Sequence, residues 1–255
     1  MNLLLYRGAE RSADGRLELP AGDRRLRHIL EILKARAGDR LRVGRLNGPR
    51  GWAVLEEEPE LEQPCHLRLT EEEPDPPSRA PGRVLLLALP RPPALRRILQ
   101  LAPQLGLERV ILTGSARVEK SYFHSPLLSA GEWREQLILG LEQAQVTRLP
   151  DVRVAPRLHE LLQGELESLL PVGGRRLLPH PGPWPGVAGL SPTPADWCLA
   201  VGPEGGWVEA EVAALVRHGF EPLSLGPRIL KVETALQRLV AQLDLLQDLQ
   251  PGDRA

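Results

Sequence analysis

From Arg83 onward the apolar positions alternate between two patterns. Short, almost wholly apolar runs (Val84–Leu89, Arg109–Thr113, Val152–Ala155, Arg176–Leu178 and Trp197–Val201) read as buried strands. Between them lie stretches with apolar residues every three or four positions. These are Pro93–Leu105 closed by Gly106, Gly131–Val146, Leu158–Leu170, Val208–His218 stopped by Gly219, and Thr234–Leu249. Pro222–Leu225 adds a last short strand, and Leu236, Leu239, Val240, Leu243 and Leu246 mark one face of the final helix. Strands alternating with helices predict an α/β fold with a parallel sheet covered on both faces.

Residues 1–75 keep a different rhythm. Asp23 can cap a helix running to about Ala37, with Leu26, Ile29, Leu30 and Leu33 facing inward. Strands are predicted at Leu41–Leu46, Trp52–Leu55 and His66–Leu69, with Asn47-Gly48 as a hairpin turn. A small barrel or sheet with one helix suits that pattern. Glu71–Gly82 is acidic and carries four prolines, so it reads as a linker. The expected division is a first domain at 1–75, a linker at 76–82 and a second domain at 83–255.

Charge changes the picture locally rather than globally. The net charge of the 255 residues is −1, yet residues 1–50 hold 12 Lys and Arg against 6 Asp and Glu. Residues 51–75 hold one Arg against nine acids. The asymmetry predicts a basic face on the first domain, made by Arg24, Arg25, Arg27, His28 and Lys34 around the helix. Only Lys34, Lys120 and Lys231 are lysines; an arginine excess suits RNA, although a G/C-rich genome produces the same bias. Cys65 and Cys198 are too few and too far apart for a disulfide framework or a clustered metal site, and no pair of histidines has metal-ligand spacing with a third ligand nearby. Leu3–Tyr6 is too short for a signal-peptide core, and no run reaches the ~20 apolar residues of a membrane helix. The chain is read as cytoplasmic, with no membrane and no metal partner.

The chemistry concentrates in two echoing loops, VGPEGGW at Val201–Trp207 and LGPRILKVET at Leu225–Thr234. Each comes after a predicted strand and opens a helix, which is where open α/β sheets hold ligands. The spacing matches neither G-x-G-x-x-G nor a P-loop, and Glu204, Glu209 and Glu211 crowd the helix N-terminus, which disfavours a phosphate. An uncharged ring or a cation such as a sulfonium fits better; a plain turn before an acidic helix start is the simpler alternative.

The two loops, the intervening E-V helix ending H-G-F, and three further segments resemble the RsmE-type family of SPOUT-class ribosomal RNA methyltransferases. Those segments are RHILEILKARAGD, matched at His28, Leu33, Lys34, Gly38 and Asp39; Gln104–Leu107 with Arg117; and Glu142–Pro150, which keeps Glu142, Gln143 and Pro150. The resemblance implies a trefoil-knotted SPOUT sheet, a PUA-like N-terminal β-barrel, a homodimer, S-adenosylmethionine as cofactor and N3 of a uridine in small-subunit rRNA as target. It implies cofactor contacts at Leu178, His180, Val201, Gly202, Pro203, Glu204, Gly205, Gly206, Leu225, Gly226, Ile229, Leu230 and Thr234. Arg228, Lys231 and Glu233 become catalytic candidates: Glu233 as general base, Arg228 or Lys231 to stabilise charge on the uracil oxygens. Arg24, Arg25, Arg27, His28, Lys34 and Arg117 become RNA contacts.

The chain departs from the family at Ala94, Arg96, Leu101, Gln104 and Val146, where relatives carry other polar or charged residues, and it has Lys231-Val232 where Arg-Thr is usual. Two functions therefore compete. One is a methyltransferase; the other is an RNA-binding or ribosome-assembly protein that keeps the fold with weakened catalysis.

Overall fold

A computed structural model describes residues 3–74, 82–190 and 195–249. The chain separates into two units, Met1–Ser78 with Leu137–Leu149, and Arg79–Gln136 with Pro150–Ala255. Most of the proline-rich linker lies outside the described residues.

In the first unit, β1 (Leu4–Tyr6), β2 (Arg16–Leu19), β3 (Arg40–Arg45), β4 (Arg50–Leu55) and β5 (Cys65–Glu72) form one sheet in the order β1-β3-β4-β5-β2. β1 and β2 are its two edges, so among the described residues the barrel stays open along that seam. The core takes alternate positions of each strand, including Leu17, Leu19, Val43, Ala53, Leu55 and Leu67, together with Leu26 and Ile29 of the helical segment. The strand β2 is not among the predicted elements, because its buried-exposed alternation covers only four residues.

The N-terminal helix is shorter than its periodicity suggests. α1 covers Arg24–His28, capped by Asp23 as expected, and passes into a wider π-helical turn at Ile29–Leu33. Lys34 then ends it with φ 51. The wider turn shifts the helical phase of its last residues. Leu33, expected inside, is 45% exposed, and Ile32 is 66% exposed.

Leu137–Leu149, expected in the second domain, belongs to the first unit for a physical reason. Ile138 and Leu141 pack with Leu3 and Leu5, and Thr147 Oγ1 donates to the Gly48 carbonyl at 2.6 Å. Asn47 holds φ 60 in the β3–β4 turn, and its side chain accepts the Leu149 N–H at 2.8 Å.

In the second unit, β6 (Arg83–Ala88), β7 (Arg109–Thr113), β8 (Asp151–Ala155), β9 (Arg175–Pro179), β10 (Trp197–Val201) and β11 (Glu221–Leu223) pair parallel throughout, in the order β11-β9-β10-β6-β7-β8. β10 lies between β9 and β6 with every side chain buried, which accounts for its unbroken apolar run. Pro222 is tolerated because β11 is an edge. One face of the sheet packs Val84, Leu86, Ile111, Leu178, Cys198 and Ala200 against Leu158, Leu162, Leu215 and Phe220. The helices of this unit are α2 (Pro92–Gln104), α4 (Leu158–Gln163), α5 (Leu166–Leu169), α6 (Glu209–Arg217) and α7 (Val232–Asp248), while α3 (Ala130–Ala144) begins in this unit and ends in the first. The single helix expected over Leu158–Leu170 is two, broken at Gly164. α7 packs against α2 and against the short turn Val187–Gly189. Both cysteines are buried and free; burial pushes the Cys65 thiol up to about 11 and the Cys198 thiol up to about 12.

Arg25 sits at the heart of the first unit. Its guanidinium donates to Glu10 Oε1 at 2.6 Å, Asp23 Oδ2 at 2.7 Å and the Leu5 carbonyl at 2.8 Å. Burial alone would raise the carboxyls of Glu10 and Asp23, but hydrogen bonds from Arg25 and from backbone N–H groups hold both below their ordinary 4.5 and 3.8. The stability they contribute is present above those values and is lost as pH falls through the lower folded-state ones. Arg25→Ala takes the guanidinium away from two half-buried carboxylates, Glu10 and Asp23, and is expected to cost about 2–3 kcal/mol in urea unfolding at neutral pH. Arg27→Ala, on the exposed side, is expected to cost about 0.5 kcal/mol or less.

Candidate active site

Because all strands of the second unit are parallel, their carboxyl ends share one edge, and the two glycine loops leave from it. The Val201–Trp207 loop comes after β10; the Leu225–Leu230 loop comes after β11. With the end of β9 they enclose a cavity of about 690 Å³. Among the described residues its only ionisable lining groups are His180, Glu204 and Arg228.

Local packing fixes these loops. A Cβ on Gly202 would meet the Trp207 nitrogen at 3.0 Å, so any other residue would push the returning backbone outward. Gly206 (φ 71) and Gly226 (φ 97) hold left-handed conformations that side chains disfavour. Trp207 is buried beneath the loop, its indole N–H directed to the Ala200 carbonyl at 3.4 Å. Glu204 accepts the Arg91 N–H at 3.0 Å, so its carboxylate orders the loop against the start of α2. Arg117 donates to the Gly205 carbonyl and lies over its α-carbon, where a Cβ would meet Arg117 Cδ at 3.0 Å. Along Leu225–Leu230 the one backbone hydrogen bond among the described residues is Gly226 N–H to Ser224 Oγ at 3.1 Å.

Of the residues singled out in the sequence, His180, Val201, Gly202, Pro203, Glu204, Gly205, Gly206, Leu225, Gly226, Arg228, Ile229 and Leu230 line this cavity. Leu178 does not: it is fully buried in β9 and packs in the sheet core, because alternate strand residues face opposite sides. Thr234 is exposed and off the lining, while its helix neighbours Val232 and Ala235 line it. Lys231 is exposed beside it, and Glu233 is turned to Arg97, with a 2.9 Å ion pair. Burial alone would raise the Glu233 carboxyl, but its own backbone N–H and Arg97 hold it below the usual carboxylate range. Trp207, Ser224, Pro227 and Gly182 also line the cavity and are not among the contacts that the sequence suggests. Trp207 is visible as the end of the first motif; Gly182 lies in a proline-rich loop whose path no periodicity reveals.

A family model described as an RNA methyltransferase domain matches residues 79–244. The ribosomal RNA small subunit methyltransferase E of Treponema pallidum (strain Nichols) is 30% identical over 252 residues, covering 92% of this chain and 87% of the relative. The chain belongs to the RsmE family. Two solved structures share its fold. A Legionella pneumophila protein in complex with bound SAM has a TM-score of 0.72 at 23% identity, covering 97% of each chain. The ribosomal RNA small subunit methyltransferase E of Neisseria gonorrhoeae bound to S-adenosyl methionine has a TM-score of 0.71 at 21% identity, covering 98% of each chain. The fold is thus that of the RsmE-like SPOUT methyltransferases, with an N-terminal half-barrel sheet and a parallel sheet carrying helices. None of the departures from the RsmE pattern at Ala94, Arg96, Leu101, Gln104 or Val146 lines the cavity.

The expected basic face of the first unit requires correction. Arg25 is buried in its ion-pair cluster and is not a surface contact for RNA. Arg24 is paired with the buried Glu142 at 2.8 Å, and His28 is half-buried. Across the sheet, Arg11 meets Glu72, Arg16 and Arg68 meet Glu56, Arg40 meets Glu71, and Arg42 and Arg50 meet Glu73. The acids of 51–75 thus neutralise cations of 1–50 that the sheet brings close to them, Arg40 of β3 and Glu71 of β5 meeting across β4. Arg27 and Lys34 stay exposed without an ion-pair partner among the described residues. Those residues hold no cluster suited to a metal ion and no helix long and apolar enough to cross a membrane.

Partial burial, with the Arg117 charge nearby, pushes the His180 imidazole below its ordinary 6.5. His180 therefore faces the cavity neutral near pH 7. An NMR titration is expected to place its midpoint below 6.5 and to move it part of the way back in Arg117→Gln. A wild-type midpoint at or above 6.5 contradicts this account.

Proposed function

We propose that this chain uses S-adenosylmethionine to methylate N3 of a uridine in small-subunit ribosomal RNA, acting in the cytoplasm as a homodimer. The supporting observation is the cavity between two glycine loops at the carboxyl ends of β9, β10 and β11, in a chain of the RsmE family. The cavity suits the cofactor in its own terms. Val201, Leu225, Leu230 and Trp207 offer apolar walls for an adenine ring, and backbone groups of Leu225–Leu230 offer partners for its edge. No cluster of cations awaits a phosphate, and a neutral His180 does not repel a sulfonium. Bound there, the cofactor would supply a methyl group activated by a positively charged sulfur.

The rest falls to the chain. N3 lies on the Watson–Crick edge, so the uridine must be unpaired before it enters. The loops then hold the ring in line, which is where much of the rate arises. Arg228, exposed at the lip, takes the role of stabilising negative charge on the uracil oxygens as the N3 proton leaves, with Lys231 adjacent. Glu233 accepts that proton in this reading, and its pair with Arg97 sets how basic it is. For the dimer, Leu245 and Leu249 offer an exposed apolar surface at the end of α7. Arg27, His28, Lys34 and Arg117 remain the proposed RNA contacts.

Calorimetry is expected to show submillimolar binding of S-adenosylmethionine by the wild type. In Gly226→Val the strained φ weakens it about tenfold or more, from ~1–3 kcal/mol of backbone cost. Absence of binding by the folded wild type overturns the proposal. Arg228→Ala is expected to lower methyl transfer to unmodified rRNA roughly 100-fold while cofactor affinity changes little. Arg97→Gln is expected to move the acidic limb of the kcat–pH profile upward, since it removes the cation that keeps Glu233 acidic; an unmoved limb removes Glu233 from the base role.

A further inference from the structure

The second unit carries another groove, of about 760 Å³, which none of the chemistry above uses. It lies at the carboxyl ends of β7 and β8, on the same sheet edge as the cofactor cavity. Its corner is tight: a Cβ on Gly114 would run into the Pro156 carbonyl oxygen, so the loops after the two strands meet through backbone. Its floor is apolar, with Leu158 and Leu162 buried and Val118 and Phe123 half-buried. The third wall is one face of α6, where Ala210 and Ala214 stand one turn apart and leave the wall recessed. One turn further, Arg217 reaches the mouth.

The electrostatics of this groove are one-sided. Lys120 and Arg217 are exposed and make no ion pair among the described residues; His159 and Arg157 add to the rim, the latter paired with Glu160. The one carboxylate in the lining, Glu211, is engaged by backbone: Oε1 accepts the Ala116 N–H at 2.7 Å and Oε2 the Val208 N–H at 3.0 Å. The Ser115 hydroxyl is buried in the lining with no hydrogen-bond partner.

A divalent cation is repelled by such a rim, and a free anion has no use for the apolar floor. A nucleobase carrying its own phosphates uses both: the ring on Phe123 and the leucines, its edge toward Ser115, and the flanking phosphates toward Lys120 and Arg217. We propose that this groove seats an unpaired nucleotide of single-stranded RNA neighbouring the nucleotide to be modified. The proposal takes from the functional reading only that RNA is the substrate. α6 joins the two sites, because its N-terminal end comes directly after the glycine loop and Glu211 ties Val208 to Ala116 of the groove.

The test is fluorescence anisotropy with a short fluorescein-labelled oligouridylate over a range of salt. It compares wild type with Lys120→Glu/Arg217→Glu, with Phe123→Ala, and with Arg153→Glu as a surface control. The double substitution is expected to weaken binding at least tenfold and to flatten the slope of log K against log salt by about 1.4, two phosphates at ~0.7 each on a single strand. Phe123→Ala is expected to weaken it roughly 5- to 100-fold, the loss of one stacked base. A 4-thiouridine version of the oligonucleotide is expected to cross-link within Val118–His124. Wild-type binding that neither set of substitutions changes beyond twofold, no binding at all, or cross-links confined to other segments overturns the proposal. Cofactor calorimetry on the same variants separates this outcome from failure of the functional reading. Binding of S-adenosylmethionine with RNA affinity indifferent to the groove sinks the groove alone. RNA affinity that depends on the groove, without cofactor binding by the wild type, sinks the methyltransferase reading and leaves the groove.

Discussion

Parallel strand direction is the constraint that governs the second unit's chemistry. Six strands running the same way place every carboxyl end on one edge, and the chain must leave that edge by loops after β6, β7, β8, β9, β10 and β11. β10, buried on all five residues between β9 and β6, is the anchor of that arrangement. Its register fixes where Gly202 begins, and the backbone contact of Gly202 with Trp207 then fixes the loop's return. Neither the glycines nor Trp207 would form a wall of a cavity if the strand before them could slide.

In the first unit electrostatics has the opposite character. The same residues that make the N-terminal stretch look basic are paired across the sheet with acids that make the next stretch look acidic. Exposed pairs of this kind contribute little to stability, about 0–1 kcal/mol each. Their effect is to flatten the surface potential. Arg25 is the exception in kind: buried, with two carboxylates and a carbonyl around one guanidinium, it organises the turn before α1. A count of charges along the chain does not separate these two uses of arginine, because the difference lies in which strand faces which.

Most of the α/β unit is legible in the sequence for a physical reason. Strands buried on both faces need uninterrupted apolar runs, and the glycines that end helices, such as Gly106 (φ 67) and Gly219 (φ 81), are required by backbone conformation. The glycine loops are legible as a site because their backbone needs are written in residue type. What escapes is set by contacts distant in the chain or by small changes of helical pitch. The Arg97–Glu233 pair spans 136 positions; the π-helical turn that exposes Leu33 leaves no periodic mark; and Leu178 belongs to a motif that borders the pocket although its own strand position faces the core.

The first unit is assembled from two stretches of chain separated by more than fifty residues. During synthesis its N-terminal sheet emerges early, but Ile138, Leu141, Glu142 and Thr147 arrive only after β6, α2 and β7 of the other unit have been made. Until then Leu3 and Leu5 lack the apolar surface that covers them, and Arg24 lacks its carboxylate. Completion of the N-terminal unit is thus a late event with a long loop to close, a cost that grows only slowly with loop length but delays the contact. The chain cannot be divided at its proline-rich segment into two self-sufficient halves: a cut there leaves one fragment without its lining and the other with a helix end that has nothing to cover.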